Sequence, residues 1–214
     1  MYKDIPQTNY RMELSGRIID IAIRKFLNNG VKSVKMDDIA NLLGISKRTL
    51  YEIFANKEML LLECLRVREK EYDCHMANYS KEKSHNVIDI IIEFYKYQIE
   101  CVTGVSPSFF KDIRRYHNVM AFFEERRMER NRNAKDFFLR GVKEGYFRND
   151  VDFDIVLRIG QVSMEHVMHT EMYKEFGMKH ILHNVLLLFL RGICTAEGVT
   201  KLDALMSEID KEVS

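Results

Sequence analysis

Apolar positions recur at helical spacing along nearly the whole chain. Leu14, Ile18, Ala22 and Phe26 repeat every four residues with Ile21 on the same side, and Ile19, Ile23 and Leu27 form a second stripe. This predicts an amphipathic helix that ends before Gly30 and is buried between two partners. Met36 to Leu43 reads as a short helix stopped by Gly44, since glycine takes the left-handed position after a helix most easily. Ser46 then caps a third helix beginning at Lys47. A fourth helix is expected over about 56–76, with Met59, Leu60, Cys64 and Val67 at helical spacing.

Residues 78–86 are polar and read as a loop, with Ser84 as the expected cap of the next helix. That helix carries Ile88, Ile91, Ile92, Tyr95, Ile99 and Val102 and should stop at Gly104. Ser106 and Pro107 are the N-cap and first-position pair of a helix holding Phe109, Phe110 and Ile113. Long helices are expected over about 118–144, from Asp150 or Asp152 to about 176, and over about 178–197. Gly198 and a short segment after Lys201 are expected to finish the chain. No strand-like alternation or internal repeat stands out, so the expected fold class is all-α.

Composition changes this picture little. Apolar residues are 46% and charged residues 30% of 214, which suits a sizeable core, and only Pro6 and Pro107 interrupt it. The net charge of +1 supplies no global argument for a nucleic-acid partner, and through Glu63 ten basic side chains face eight acidic ones, a slight excess. Cys64, Cys74, Cys101 and Cys194 are scattered, without the Cys-x-x-Cys pair of a zinc or redox site. The N-terminus lacks a signal-peptide pattern, and the longest apolar run, 185–190, is far below the ~20 residues of a membrane span. A cytoplasmic protein with no cofactor and no membrane partner is expected.

A short helix, the turn Gly44-Ile45-Ser46 and a second short helix form the layout of a DNA-reading helix-turn-helix. Ile39 and the small Ala40 face inward, Leu43, Ile45 and Leu50 fill the space between the helices, and Leu50, Ile53 and Phe54 belong to the core. Lys47, Arg48, Thr49, Tyr51 and Glu52 are left for the outside. Ile19, Ala22, Phe26 and Gly30, then Asp38, Ile39 and Ala40, then Gly44, Ile45, Ser46, Leu50, Tyr51, Phe54, Lys57 and Leu60 resemble the N-terminal signature of the TetR family. The resemblance covers about the first 60 residues. It implies a DNA-binding unit over 1–57, a helical effector-binding and dimerisation unit over 58–214, and a homodimeric repressor that leaves double-stranded operator DNA when a small molecule binds.

The resemblance also implies roles: Tyr51 and Lys57 on the phosphate backbone, Lys47 and Thr49 near base edges, with Ser46 beside them. Lys57 opens the fourth helix, where the dipole favours an anion. Lys35 stands where the family often has a capping Ser or Thr, so a cap is lost and a phosphate-seeking cation gained. Arg48 replaces a common Gly or Ala and suits either guanine readout or a phosphate contact. Lys25 replaces a usually apolar residue, with no assigned role.

In the second unit, the helix carrying Ile181, Leu182, Val185, Leu186, Leu187, Leu188, Phe189 and Ile193 is apolar on more than one face, and Gly160 and Ser163 offer close helix contact across a two-fold axis. Tyr95, Tyr97, Phe110, Phe123 and His166 are the expected contacts of an apolar or weakly polar effector. His166 and His169, like His180 and His183, stand three apart, but a pocket or interface role outweighs a metal one. Residues 124–132 read as a solvated face held by local ion pairs. No phosphate loop, Gly-x-Ser-x-Gly elbow or carboxylate pair points to catalysis. The alternatives are an effectorless or activating regulator and an α-helical enzyme; sequence-specific DNA binding and effector-dependent release separate them.

Overall fold

The structure, a computed structural model, describes residues 5–82 and 84–212. The described residues form eleven helices: α1 (Ile5–Asn29), α2 (Met36–Leu43), α3 (Lys47–Ile53), α4 (Lys57–Lys81), α5 (Val87–Val102), α6 (Pro107–Ile113), α7 (His117–Lys143), α8 (Phe153–His169), α9 (Tyr173–Phe176), α10 (Met178–Ile193) and α11 (Ala196–Glu212). An antiparallel bridge between Phe147 and Cys194 is isolated rather than part of a strand. The fold is all-α, as expected. Two compact units divide the chain: one runs through Glu71 and adds Gly104–Glu124, the other comprises Tyr72–Thr103 and the chain from Glu125 onward. The reading unit expected over 1–57 lies within the first, which also takes in the start of α4, α6 and the start of α7.

In the first unit the four-residue stripe of α1 is the core. Ile18, Ala22 and Phe26 are wholly buried and Leu14 nearly so, while the second stripe of Ile23 and Leu27 is half-buried. Here α1 packs on both α2 and α6. The Ser106 N–H donates to the Leu27 carbonyl at 2.8 Å, so a segment eighty residues downstream covers the second face. Lys25 is exposed. Helix α3, at seven residues, is too short to stand alone in water. Its wholly buried Leu50 anchors it, and burial of such a side chain is worth about 1.5–3 kcal/mol.

The second unit is built around Ile88, Ile91, Tyr95, Phe138, Phe147, Leu187, Leu190 and Leu202. Several boundaries differ from those the sequence predicts. Helix α4 continues to Lys81 through the expected loop, and the cap of α5 is Asn86 rather than Ser84: its Oδ1 accepts from Ile88 N–H at 2.9 Å and Asp89 N–H at 3.3 Å. Helix α8 stops at His169 because Glu171 takes a left-handed backbone, φ 55°. That conformation costs about 1–2 kcal/mol in a non-glycine residue. Burial of Val167 and Tyr173 on either side offsets it.

The chain also does not end soon after Gly198. Thr195 caps a further 17-residue helix, accepting the Gly198 N–H at 3.1 Å. Gly198 serves packing rather than termination, since a Cβ there would lie 2.3 Å from the Tyr146 carbonyl oxygen. The charged run of 124–132 is not simply solvated. The Arg126 side chain is only 16% exposed and pairs with Asp73 of α4 as well as Glu129, Arg127 reaches Gln161 of α8, and the Arg130 guanidinium lies over the Tyr72 ring at 5.9 Å.

Candidate functional site

The α2–turn–α3 segment is held by local hydrogen bonds. Gly44, at φ 66°, lets the Gly44 N–H reach the Asn41 carbonyl at 3.2 Å and the Ile45 N–H reach Ala40 at 3.1 Å, which closes the end of α2. Ser46 caps α3 by accepting the Thr49 N–H at 3.0 Å, and its hydroxyl also lies 2.8 Å from the Thr49 hydroxyl. Those two hydroxyls are therefore engaged in the cap, and Thr49 is half-buried. At α2 the cap is only half made. Lys35 has no side-chain acceptor, but the Asp38 carboxylate accepts the Lys35 backbone N–H at 3.1 Å, and the Lys35 side chain is exposed.

With Leu50 turned inward, Lys47, Arg48, Tyr51 and Glu52 are exposed together. The Lys47 ammonium bonds Asp37 of α2 at 2.9 Å and sits 5.9 Å from the centre of the Tyr51 ring. The hydrogen bond and charge of Asp37 hold the Lys47 pKa above its usual value. Arg48 Nε donates to Glu52 Oε1 at 2.8 Å, one turn along, and that bond raises the Arg48 pKa in the same way. Sequence reasoning missed Arg11. Its guanidinium donates to the Glu52 carbonyl at 2.8 Å, at the end of α3 where free carbonyls favour a cation. The only sequence signal was that Arg11 precedes the apolar stripe of α1 by three residues.

Lys57 requires a correction. It opens α4, as expected, but its ammonium donates to three carbonyls of the turn into α2: Val31 at 2.8 Å, Val34 at 3.0 Å and Lys32 at 3.3 Å. All three of its protons have acceptors, so it shapes the turn instead of offering itself to a phosphate. Burial lowers its pKa, against the opposing charge of Asp112. Asp112, on α6, is only 6% exposed and accepts the Lys32 backbone N–H at 2.7 Å. It too escaped notice, although a carboxylate between Phe110 and Ile113 was a visible break in an apolar run.

The five expected effector contacts are divided between the units. Phe110 is buried on α6 against Phe109, and Phe123 is half-buried beside Phe122 on α7, both in the first unit. Tyr95, Tyr97 and His166 lie in the second unit in three different settings. Tyr95 is buried and its hydroxyl meets His183 Nδ1 at 2.6 Å; Tyr97, two residues on, packs on Tyr72 with ring centres 4.5 Å apart. His166 borders an open hollow of about 650 Å³ with Arg158, Ile159, Val162, Ser163, Val167 and Met172. The paired histidines also part: His183 turns to Tyr95, whereas His180 is exposed beside Asn184.

Residues 18–64 match the family model for bacterial regulatory proteins of the tetR family. The chain belongs to this family. Its members are DNA-binding transcriptional regulators, and the match covers α2, the turn and α3. The chain is 26% identical over 159 residues to the HTH-type transcriptional repressor KstR2 of Mycobacterium tuberculosis, spanning 67% of this chain and 74% of that one. Among solved structures, a putative transcriptional regulator from Saccharomonospora viridis in complex with choline is similar with a TM-score of 0.67 and 17% identity, over 86% of this chain and 99% of that one. The regulator FadR from Bacillus subtilis in complex with stearoyl-CoA is similar with a TM-score of 0.61 and 17% identity, over 83% and 98%. These two likenesses show the fold.

Proposed function

We propose that this TetR-family regulator is a repressor that binds operator DNA as a homodimer through α3 and leaves it when a small molecule binds. The observation that carries the reading is the single exposed face of α3, where Lys47, Arg48, Tyr51 and Glu52 stand together over an anchored Leu50. In this reading, residues 1–57 form the reading head, and Lys35 adds a cation beside α2. Residues 58–214 carry the effector and dimer functions.

The dimer is supported by apolar exposure. Ile155, Ile159 and Val162 of α8 are 51–57% exposed at helical spacing, and Leu188 of α10 is 71% exposed. A stripe of that kind is stable in water when a partner covers it. The repressor named among the relatives supports the sign of regulation. Effector control is supported by the ligands named in the similar structures, choline in one and stearoyl-CoA in the other. Two ligands so different mean that the fold leaves the effector class open. Tyr95, Tyr97 and His166 are the polar handles proposed for it in the second unit.

Selection of binding sites from a random duplex pool tests the reading. A near-palindromic consensus, with light scattering at the dimer mass, is the expected result. A monomer at working concentration, or no enriched sequence, rules it out. A regulated promoter whose transcription rises on binding makes the chain an activator.

A further inference from the structure

One ion pair on α3 does not suit a stabilising role. The side chains of Arg48 and Glu52 are 88% and 58% exposed, and pairs so placed contribute little to folding. A carboxylate on a face that meets a polyanion also weakens sequence-independent binding, because it repels phosphates. The geometry supplies another purpose. Glu52 Oε1 holds Arg48 by Nε, at 2.8 Å, and the two terminal amino groups of the guanidinium have no partner among the described residues. A guanidinium is planar, so fixing Nε sets the direction of the fork formed by the other two nitrogens. Two donors side by side match the O6 and N7 acceptors of guanine in the major groove. Glu52 is itself restrained, through the bond from Arg11 to its carbonyl. The Lys47 ammonium, by contrast, is tied back to Asp37.

We propose that Arg48 and Glu52 act as one base-reading unit, in which Arg48 binds the edge of a guanine and Glu52 positions it. This rests on operator binding by α3 as proposed above. An arginine left to itself on this face binds phosphate equally well at any sequence, which positions the protein but reads nothing. The neighbouring carboxylate disfavours that alternative and directs the fork at a base.

The test is parallel site selection from a random duplex pool with the full-length protein and the variants Arg48→Lys, Arg48→Ala, Glu52→Ala and Glu52→Gln. Competition titrations on the selected site and on its G·C→A·T variant follow. The wild type is expected to require a G·C pair at one position of each half-site, with a preference on the order of ten- to hundredfold. Arg48→Lys and Arg48→Ala should abolish the preference at that position alone. Glu52→Ala should reduce it about tenfold although Arg48 is intact, and Glu52→Gln should keep it, because the amide oxygen still accepts from Nε. Unchanged thermal melting of the variants shows that folding is not the cause.

The proposal is overturned if Arg48→Ala selects the wild-type consensus, or if Glu52→Ala retains the full guanine preference. It is equally overturned if Glu52→Ala loses a cytosine preference elsewhere while keeping guanine, which makes Glu52 a direct reader. A wild type that enriches no sequence defeats operator binding itself, and so is distinct from these failures.

Discussion

The helix-turn-helix and the second unit are stabilised over different distances along the chain. Between Lys35 and Met59 most polar contacts close within three or four residues: Lys35 with Asp38, Ser46 with Thr49, Arg48 with Glu52, Asn56 with Met59. In the second unit the informative contacts span fifty residues or more, such as Arg140 to the His85 carbonyl, Glu144 to the Val87 N–H and Tyr95 to His183. A reading head must present short helices that cannot hold themselves, so each end is capped locally and one apolar side chain anchors each piece. The second unit uses long helices whose ends matter less. Its arrangement depends on which long-range pairs meet.

The sharpest way to break this comparison is to remove an anchor. Leu50→Ala should cost about 3 kcal/mol in urea denaturation and abolish operator binding, because α3 has no other fully buried residue. An unchanged denaturation midpoint would show that the caps alone hold α3. Lys57→Met should cost about 2 kcal/mol by leaving the Val31 and Val34 carbonyls without their donor. It should also weaken operator binding without changing the dependence of log K on log salt. A slope reduced by about one would instead return Lys57 to a phosphate.

In the second unit, Tyr95→Phe should cost about 1 kcal/mol, the typical net value of one hydrogen bond such as that to His183. A variant as stable as the wild type shows that the Tyr95 hydroxyl contributes nothing there. The smallest effect at neutral pH concerns Cys64, whose thiol burial pushes up to about 12 from an ordinary 9.0. The folded chain holds this proton longer than the unfolded one. The Cys64 contribution to stability is therefore full below about pH 9 and declines as pH rises from 9 towards 12. Cys64→Ala should flatten that part of the alkaline decline. An identical pH profile in the variant contradicts it.

Periodicity and local chemistry were sufficient for the all-α class, for the ends of α2 and α3, and for the choice of Leu50 as inward and Lys47, Arg48, Tyr51 and Glu52 as outward. Those signals lie within one or two turns of backbone, where the geometry of a helix determines which residues meet. Tertiary structure alone decided that Lys57 bonds a turn more than twenty residues away, that Asp112 is buried against the Lys32 N–H, and that Phe110 and Phe123 pack in the first unit. It also decided that Glu171 breaks a helix without a breaker residue and that Gly198 is a packing position inside one. In each case the deciding energy is that of a contact between segments far apart in the chain. A helix presents the same periodicity whatever packs against it, so its own residues do not name the partner.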